Sequence, residues 1–197
     1  MSWQPLQLAG AFEHTPRVFT DDRGFFFEAF SGPQLQDQTG ESFLVAQVNV
    51  SQSIRGTIRG IHYADVPPGQ AKYVQCLLGE ILDVLVDLRV GSATFGQWQA
   101  VTLSADAHNA VLIPIGFGHA FQALSSTAMV MYCCSTPYTP TAEHEIYPLD
   151  PELALPWQPI PPLLSPKDAA APSWAEVRAG GTLPTLDACQ RTEAHDA

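Results

Sequence analysis

Between residues 43 and 134 the chain is a succession of short apolar runs, interrupted about every ten residues by a turn; this pattern builds antiparallel strands. The runs cover residues 43–50, 72–78, 97–103, 110–113, 120–124 and 128–134. The clearest is Ile81-Leu82-Asp83-Val84-Leu85-Val86-Asp87-Leu88, which alternates so that Leu82, Val84, Val86 and Leu88 share one face. Between the runs lie Gly79-Glu80, Gly91-Ser92, Ser104-Ala105-Asp106, Pro114-Ile115-Gly116 and Ser125-Ser126. These spacers are too short for the crossover helices that parallel strands need. The predicted class is therefore all-β, a sandwich or barrel.

The flanks differ. Residues 31–40 read as a short helix after the turn Asp21-Asp22-Arg23-Gly24. Residues 148–172 are rich in proline, which predicts extended arms and short helices. Ser173 can cap a helix that Gly180-Gly181 would stop. Residues 188–197 read as a frayed tail. With 197 residues, 46% of them hydrophobic, the chain is expected to form one domain, 1–197, whose core runs from about 10 to 187.

A net charge of −11 argues against nucleic acid and anionic membrane as partners. Cys76, Cys133, Cys134 and Cys189 show neither C-x-x-C nor zinc spacing, and the first three, in apolar strand-like runs, read as buried free thiols. Met1-Ser2-Trp3-Gln4-Pro5 has no leader pattern, and no apolar run reaches membrane-spanning length. A soluble cytoplasmic protein is expected.

Basic groups are scarce, with two lysines and seven arginines, yet Arg55, Arg59 and Lys72 fall within eighteen residues. In the same stretch, Gly56-Thr57-Ile58-Arg59-Gly60-Ile61-His62-Tyr63 sets one histidine beside an arginine in a strand-like segment. A neutral imidazole near cations suits removal of a proton from an anionic substrate. Strict alternation would put Arg59 and His62 on opposite faces, whereas Gly60 permits a bulge that re-aims one of them; both arrangements stay open. Gln47 and Asn49 share a strand face, and Tyr132 shares one with Val130 and Cys134.

Pro114-Ile115-Gly116-Phe117-Gly118-His119 fits P-x-G-x-x-H, the second motif of cupin barrels. The first cupin motif supplies H-x-H and a glutamate to a metal. Here Tyr63 and Ala64 follow His62, and no glutamate occurs before Glu80, so no metal is expected. A cupin stripped of its ligands but keeping one histidine resembles the dTDP-4-dehydrorhamnose 3,5-epimerase family. The resemblance runs from about residue 10 to about 187. It rests on Asp22-Arg23-Gly24 with Phe27-Glu28, Gln47-Val48-Asn49, Arg59-Gly60-Ile61-His62-Tyr63 and Gln70-Ala71-Lys72-Tyr73-Val74. Asp87-Leu88-Arg89, Ser92-Ala93-Thr94-Phe95-Gly96, Asp150-Pro151, Leu164-Ser165-Pro166-Lys167-Asp168 and Leu183-Pro184 continue it. The family often has G-F-A-H-G-F where this chain has Gly116-Phe117-Gly118-His119-Ala120-Phe121.

The resemblance implies a cupin-type jelly-roll β-barrel with short peripheral helices and a proline-rich C-terminal segment. It implies a homodimer without cofactor, acting on a dTDP-4-keto-6-deoxyhexose. The aromatic stretch 25–30 supports the homodimer, being too apolar to stand exposed. By resemblance His62 is the base, Asp168 its orienting carboxylate, Lys72 the enolate stabiliser and Tyr132 the acid on the opposite face. Arg23, Arg59 and His119 would meet diphosphate and sugar oxygens. Glu28, Gln47 and Asn49 would hold the nucleotide end, and Tyr138 would stack on thymine. Phe26, Glu143 and Lys167 complete the implied binding set. The implied reaction inverts dTDP-4-dehydro-6-deoxy-D-glucose at C3 and C5 to give dTDP-4-dehydro-L-rhamnose. The alternatives are a single-centre epimerase of antibiotic deoxysugar synthesis and a non-catalytic sugar-binding jelly roll.

Overall fold

The computed structural model describes residues 2–196, with side chains through residue 192. Its strands are β1 (Ser2–Pro5), β2 (Phe12–Thr15), β3 (Val18–Asp21), β4 (Gly24–Phe27), β5 (Gln47–Ile54), β6 (Ile58–Ala64) and β7 (Lys72–Leu78). They continue with β8 (Glu80–Asp87), β9 (Trp98–Ser104), β10 (Ala110–Ile113), β11 (Phe117–Ala123), β12 (Thr127–Cys134) and β13 (Glu143–Glu145). The helices are α1 (Gly32–Thr39), α2 (Pro166–Ala169), α3 (Trp174–Gly180) and α4 (Leu186–Asp196).

Two antiparallel sheets build a jelly roll, one ordered β1-β2-β10-β7-β12-β5 and the other β13-β6-β11-β8-β9. Val74, Leu85, Leu103, Val111, Phe117, Phe121 and Val130 interdigitate between them as the inner core. Both sheets are also covered outside. The predicted face of β8 does pack as one surface, with Leu82, Val84, Val86 and Leu88 against Ile146, Leu153, Trp174 and Val177 of the C-terminal segment. Its other face points into the barrel, which buries Asp83 and Asp87 completely. On the opposite sheet, Leu35 of α1 and Phe43 cover Tyr73, Leu112 and Cys133.

Strand limits follow partners rather than hydropathy. The apolar run 43–50 becomes β5 at Gln47–Ile54, because among the described residues β12 is its one ladder partner and pairs from Gln47↔Cys134 to Ile54↔Thr127. The run 120–124 becomes the longer β11, since β8 continues pairing back to Phe117↔Asp87. The four-residue strands β1–β4 carry too few residues to show a period. β2 acquires its structure from β10, ninety-six residues away at Ala110↔His14.

α1 ends on Gly40 in the left-handed region (φ 79°). α3 has the expected Ser173 cap, completed as a reciprocal capping box with Glu176. The expected frayed end is corrected: Leu186–Asp196 is helical. Leu186 N–H donates to Val90 O at 3.0 Å, and Cys189 is buried where a Cβ on Gly116 would lie only 2.5 Å from its sulfur. The proline-rich segment forms a strap along β6. Leu163 N–H donates to Gly56 O at 2.9 Å and Ile58 N–H to Leu163 O at 3.0 Å. Among the described residues no helix is long and apolar enough to cross a membrane.

His14, on β2, makes the barrel sensitive to acid. The Tyr73 hydroxyl gives its proton to Ala29 O at 2.8 Å, so His14 Nδ1–H donates to the Tyr73 oxygen at 2.6 Å. His14 Nε2 is buried without a partner, and burial lowers the imidazole from 6.5 to about 4. The unfolded chain therefore takes up a proton that the folded chain refuses. Stability should fall as pH drops from 6.5 towards about 4, by about 3 kcal/mol from this residue. Urea unfolding of His14→Gln across that window should lack this part of the slope. Equal slopes in parent and variant would contradict the assignment.

Candidate active site

The jelly roll opens on one side into a cavity of about 510 Å³, with β6 and β11 on one wall and β7, β12 and β5 on the other. Arg59, His62, Lys72, His119, Tyr132 and Asp168 all line it.

The two faces of β6 reach this cavity through a bulge. On β11 the partners step from Phe121, opposite Arg59, to His119, opposite His62. Two steps on β11 therefore face three on β6, and the extra residue turns Arg59 and His62 to the same cavity. Gly60 sits in the bulge at φ 107°, and a Cβ there would come within 2.4 Å of His119 O and 2.8 Å of Ala120 Cα. No side chain fits that position.

His62 Nε2 donates to Asp168 Oδ1 at 2.7 Å. Asp168 is buried on α2, and its other oxygen accepts from Ser165 Oγ at 2.7 Å. Burial pushes the Asp168 carboxyl up, but the His62 and Ser165 hydrogen bonds outweigh it and hold the group below the usual carboxylate range. A charged Asp168 keeps the proton on Nε2 and leaves Nδ1 of His62 free to accept one.

Tyr132 stands on β12, in the sheet opposite His62. Burial raises its hydroxyl above the ordinary tyrosine value, against the opposing pull of Arg59, so it stays protonated at neutral pH. Lys72 is buried on β7; burial lowers its ammonium while Glu143 and Asp83 pull it back up. Arg59 reaches across to β5, donating to Ser53 Oγ at 3.1 Å and Gln52 O at 3.3 Å. His119 Nε2 donates to Asp83 Oδ2 at 2.7 Å. The cavity is thus lined by the His62–Asp168 pair and by His119, which Asp83 backs from the core, with the two histidines opposite each other on the β6–β11 ladder.

A second cleft of about 340 Å³ shares His62, Lys72, Tyr132 and Lys167 with the cavity and adds Gln47, Asn49, Gln70, Tyr138 and Glu143. Gln47 Nε2 donates to Asn49 Oδ1 at 2.8 Å, and Gln47 Oε1 accepts from Tyr138 N–H at 2.9 Å. Tyr138 keeps its ring exposed. Lys167 pairs with Glu145 of β13, a contact that raises its ammonium above the ordinary lysine value.

Three expected binding residues lie elsewhere. Arg23 and Phe26 line a separate surface cleft on the β3–β4 hairpin, where Arg23 pairs with Asp21. Glu28 accepts from Gln34 Nε2 at 2.7 Å. Arg23, Phe26 and Glu28 thus stand outside the cavity of their own chain. Among the described residues the hairpin strands pair only with each other, and Phe25 and Phe27 pack on His108. Conversely, Asp83, Ser51, Phe121, Leu163 and Ser165 were not anticipated. Asp83 left a signal, an acid on the same face as the apolar Ile81 and Leu85, and Phe121 and Ser165 lay inside segments that carry the resemblance; Ser51 and Leu163 left none.

The family model for dTDP-4-dehydrorhamnose 3,5-epimerase matches residues 5–176. The chain belongs to the dTDP-4-dehydrorhamnose 3,5-epimerase family. It is 49% identical over 191 residues to the dTDP-4-dehydrorhamnose 3,5-epimerase of Mycolicibacterium smegmatis, covering 96% of this chain and 94% of the relative. It is 45% identical to a dTDP-4-dehydro-6-deoxyglucose 3-epimerase of Streptomyces bikiniensis, covering 96% of this chain and 97% of the relative. Among solved structures it is similar to the rmlC epimerase of Mycobacterium tuberculosis, with a TM-score of 0.96, 43% identity and 99% of each chain covered. It is also similar to ChmJ, a 3'-monoepimerase from Streptomyces bikiniensis in complex with dTDP-quinovose, with a TM-score of 0.93, 44% identity and 98% of each chain covered. Epimerases of this family are isomerases, and the present chain is one of them. Among the described residues no group of three or more His, Cys, Asp or Glu side chains could hold a metal ion.

Proposed function

We propose that this chain inverts dTDP-4-dehydro-6-deoxy-D-glucose at C3 and C5 to give dTDP-4-dehydro-L-rhamnose. The observation that carries the reading is the placing of the His62–Asp168 pair and Tyr132 on opposite walls of one cavity that also receives Lys72. The carbons beside a 4-keto group carry acidified protons. His62 Nδ1 takes one, the C–H electron pair passes to the carbonyl oxygen as an enolate, and the Lys72 ammonium stabilises that oxygen. Tyr132 returns a proton to the other face of the carbon, inverting it. His62 and Tyr132 then exchange protons with water, and the steps repeat at the second carbon. Arg59 and His119 suit the diphosphate and sugar oxygens, and the Gln47–Asn49–Tyr138 cleft suits the nucleotide end.

The test is turnover in deuterium oxide with the product read by NMR. Deuterium at both C3 and C5 is expected. Deuterium at C3 alone would make the chain a single-centre epimerase, and binding without exchange would overturn the reading.

The working unit in this reading is a homodimer. Phe25 and Phe26 of the hairpin are exposed at 61% and 68%, and Val48 and Val50 of β5 are exposed without lining the cavity. A partner would cover these surfaces and let Arg23, Phe26 and Glu28 serve the neighbouring site. Sedimentation at micromolar concentration should show a dimer; a monomer there would remove these three residues from the binding set. A cytoplasmic setting is part of the proposal, supported by Cys76, Cys133 and Cys134, which are buried as free thiols.

A further inference from the structure

We propose that Ser165 is a positioning residue for the catalytic base, holding the Asp168 carboxylate so that its other oxygen is aimed at His62. The proposal rests on the epimerase reading above. Ser165 grips residue 168 twice. Its hydroxyl donates to Asp168 Oδ2 at 2.7 Å, and the same oxygen accepts from Asp168 N–H at 3.0 Å. The first bond sets the rotation of the carboxylate plane, and the second sets the backbone from which it projects. Asp168 Oδ1 then meets His62 Nε2 at 2.7 Å.

Apart from Ser165 and His62, the carboxylate is held by the backbone N–H of Gly60, and the short helix that carries it adds little. α2 is a four-residue helix, Pro166–Ala169, and so gains nothing from helical cooperativity; its start depends on the Ser165 cap and on Pro166. The strap that carries Ser165 is laced to β6, the strand of His62, through Leu163 and the backbone at Gly56 and Ile58. One hydroxyl therefore converts a strap-to-strand register into the orientation of a base whose partner lies 106 residues away. Asp168 is only 4% exposed, so water is poorly placed to replace the lost donor.

The test is a double-mutant cycle on the full chain with its dTDP-4-keto-6-deoxyhexose substrate. Ser165→Ala and Ser165→Gly should each lower kcat about ten-fold, with KM within about two-fold, the size expected for losing one charge-assisted hydrogen bond. The glycine variant keeps a residue that helices accept as an N-cap and covers the case in which the alanine variant misfolds. Ser165→Thr, which retains the hydroxyl, should recover most of the rate. In an Asp168→Asn background the serine replacement should cost less than about two-fold, because the group it acts through has gone. Parent-like kcat in the alanine or glycine variant, or an undiminished effect in the Asp168→Asn background, would overturn the proposal. Solvent-deuterium exchange by the parent enzyme separates the two claims: its failure sinks the epimerase reading, whereas an additive cycle in an exchanging enzyme sinks only the role of Ser165.

Discussion

His62→Ala is expected to cut solvent-deuterium entry at both substrate carbons by about a thousand-fold, the middle of the range for losing a general base. Exchange requires that a C–H bond break. His62 presents Nδ1 to the cavity while Asp168 holds Nε2, and removing the ring leaves the enolate unformed. Tyr132→Phe should behave differently. Its hydroxyl is needed only when the proton returns from the opposite wall, so the enolate still forms and His62 can reprotonate it on the original face. That variant should wash deuterium into the substrate with its configuration largely retained while product formation collapses. Asp168→Asn should resemble a milder His62→Ala, because the imidazolium formed in the first step loses its partner charge. Near-parental exchange by His62→Ala would show that some other residue is the base, and the mechanism would fall with it.

Gly60→Ala is expected to damage both the fold and turnover. The new Cβ would lie 2.4 Å from His119 O and 2.8 Å from Ala120 Cα, at a φ of 107° that side chains rarely adopt. Relief requires that β6 move away from β11, where the bulge aligns Arg59 and His62. We expect a loss of about 3 kcal/mol or more in stability. We expect a further fall of about a hundred-fold in kcat, the scale on which a misplacement near 1 Å acts. Gly180→Ala is the matched control: it sits in α3 with nothing within 4 Å of the added carbon, and should be neutral or slightly stabilising. Thermal unfolding and steady-state rates of both variants check this. A Gly60→Ala protein with parental midpoint and turnover would show that the bulge does not set the site.

The strand repertoire and several of its limits were legible in the chain because they are local. Lys72–Leu78 and Ala110–Ile113 are bounded where the apolar runs begin and end, and α3 carries its own cap in Ser173 and Glu176. The outer face of β8 was readable from alternation alone. Resemblance supplied His62, Asp168, Lys72 and Tyr132 as a set, and the cavity gathers all four.

Tertiary structure decided what alternation could not. The rule of two places Arg59 and His62 on opposite faces, and only the ladder to β11 reveals the extra residue that brings them together. Asp83 became the partner of His119 because two strands with no local relation in sequence adjoin in the sheet. The short strand β2 and the docked α4 are held by distant partners, β10 and Val90, that no window of sequence contains. Local patterns record the free energy of neighbours along the chain, whereas register, bulges and paired buried charges are settled by contacts that form only once the sheets close.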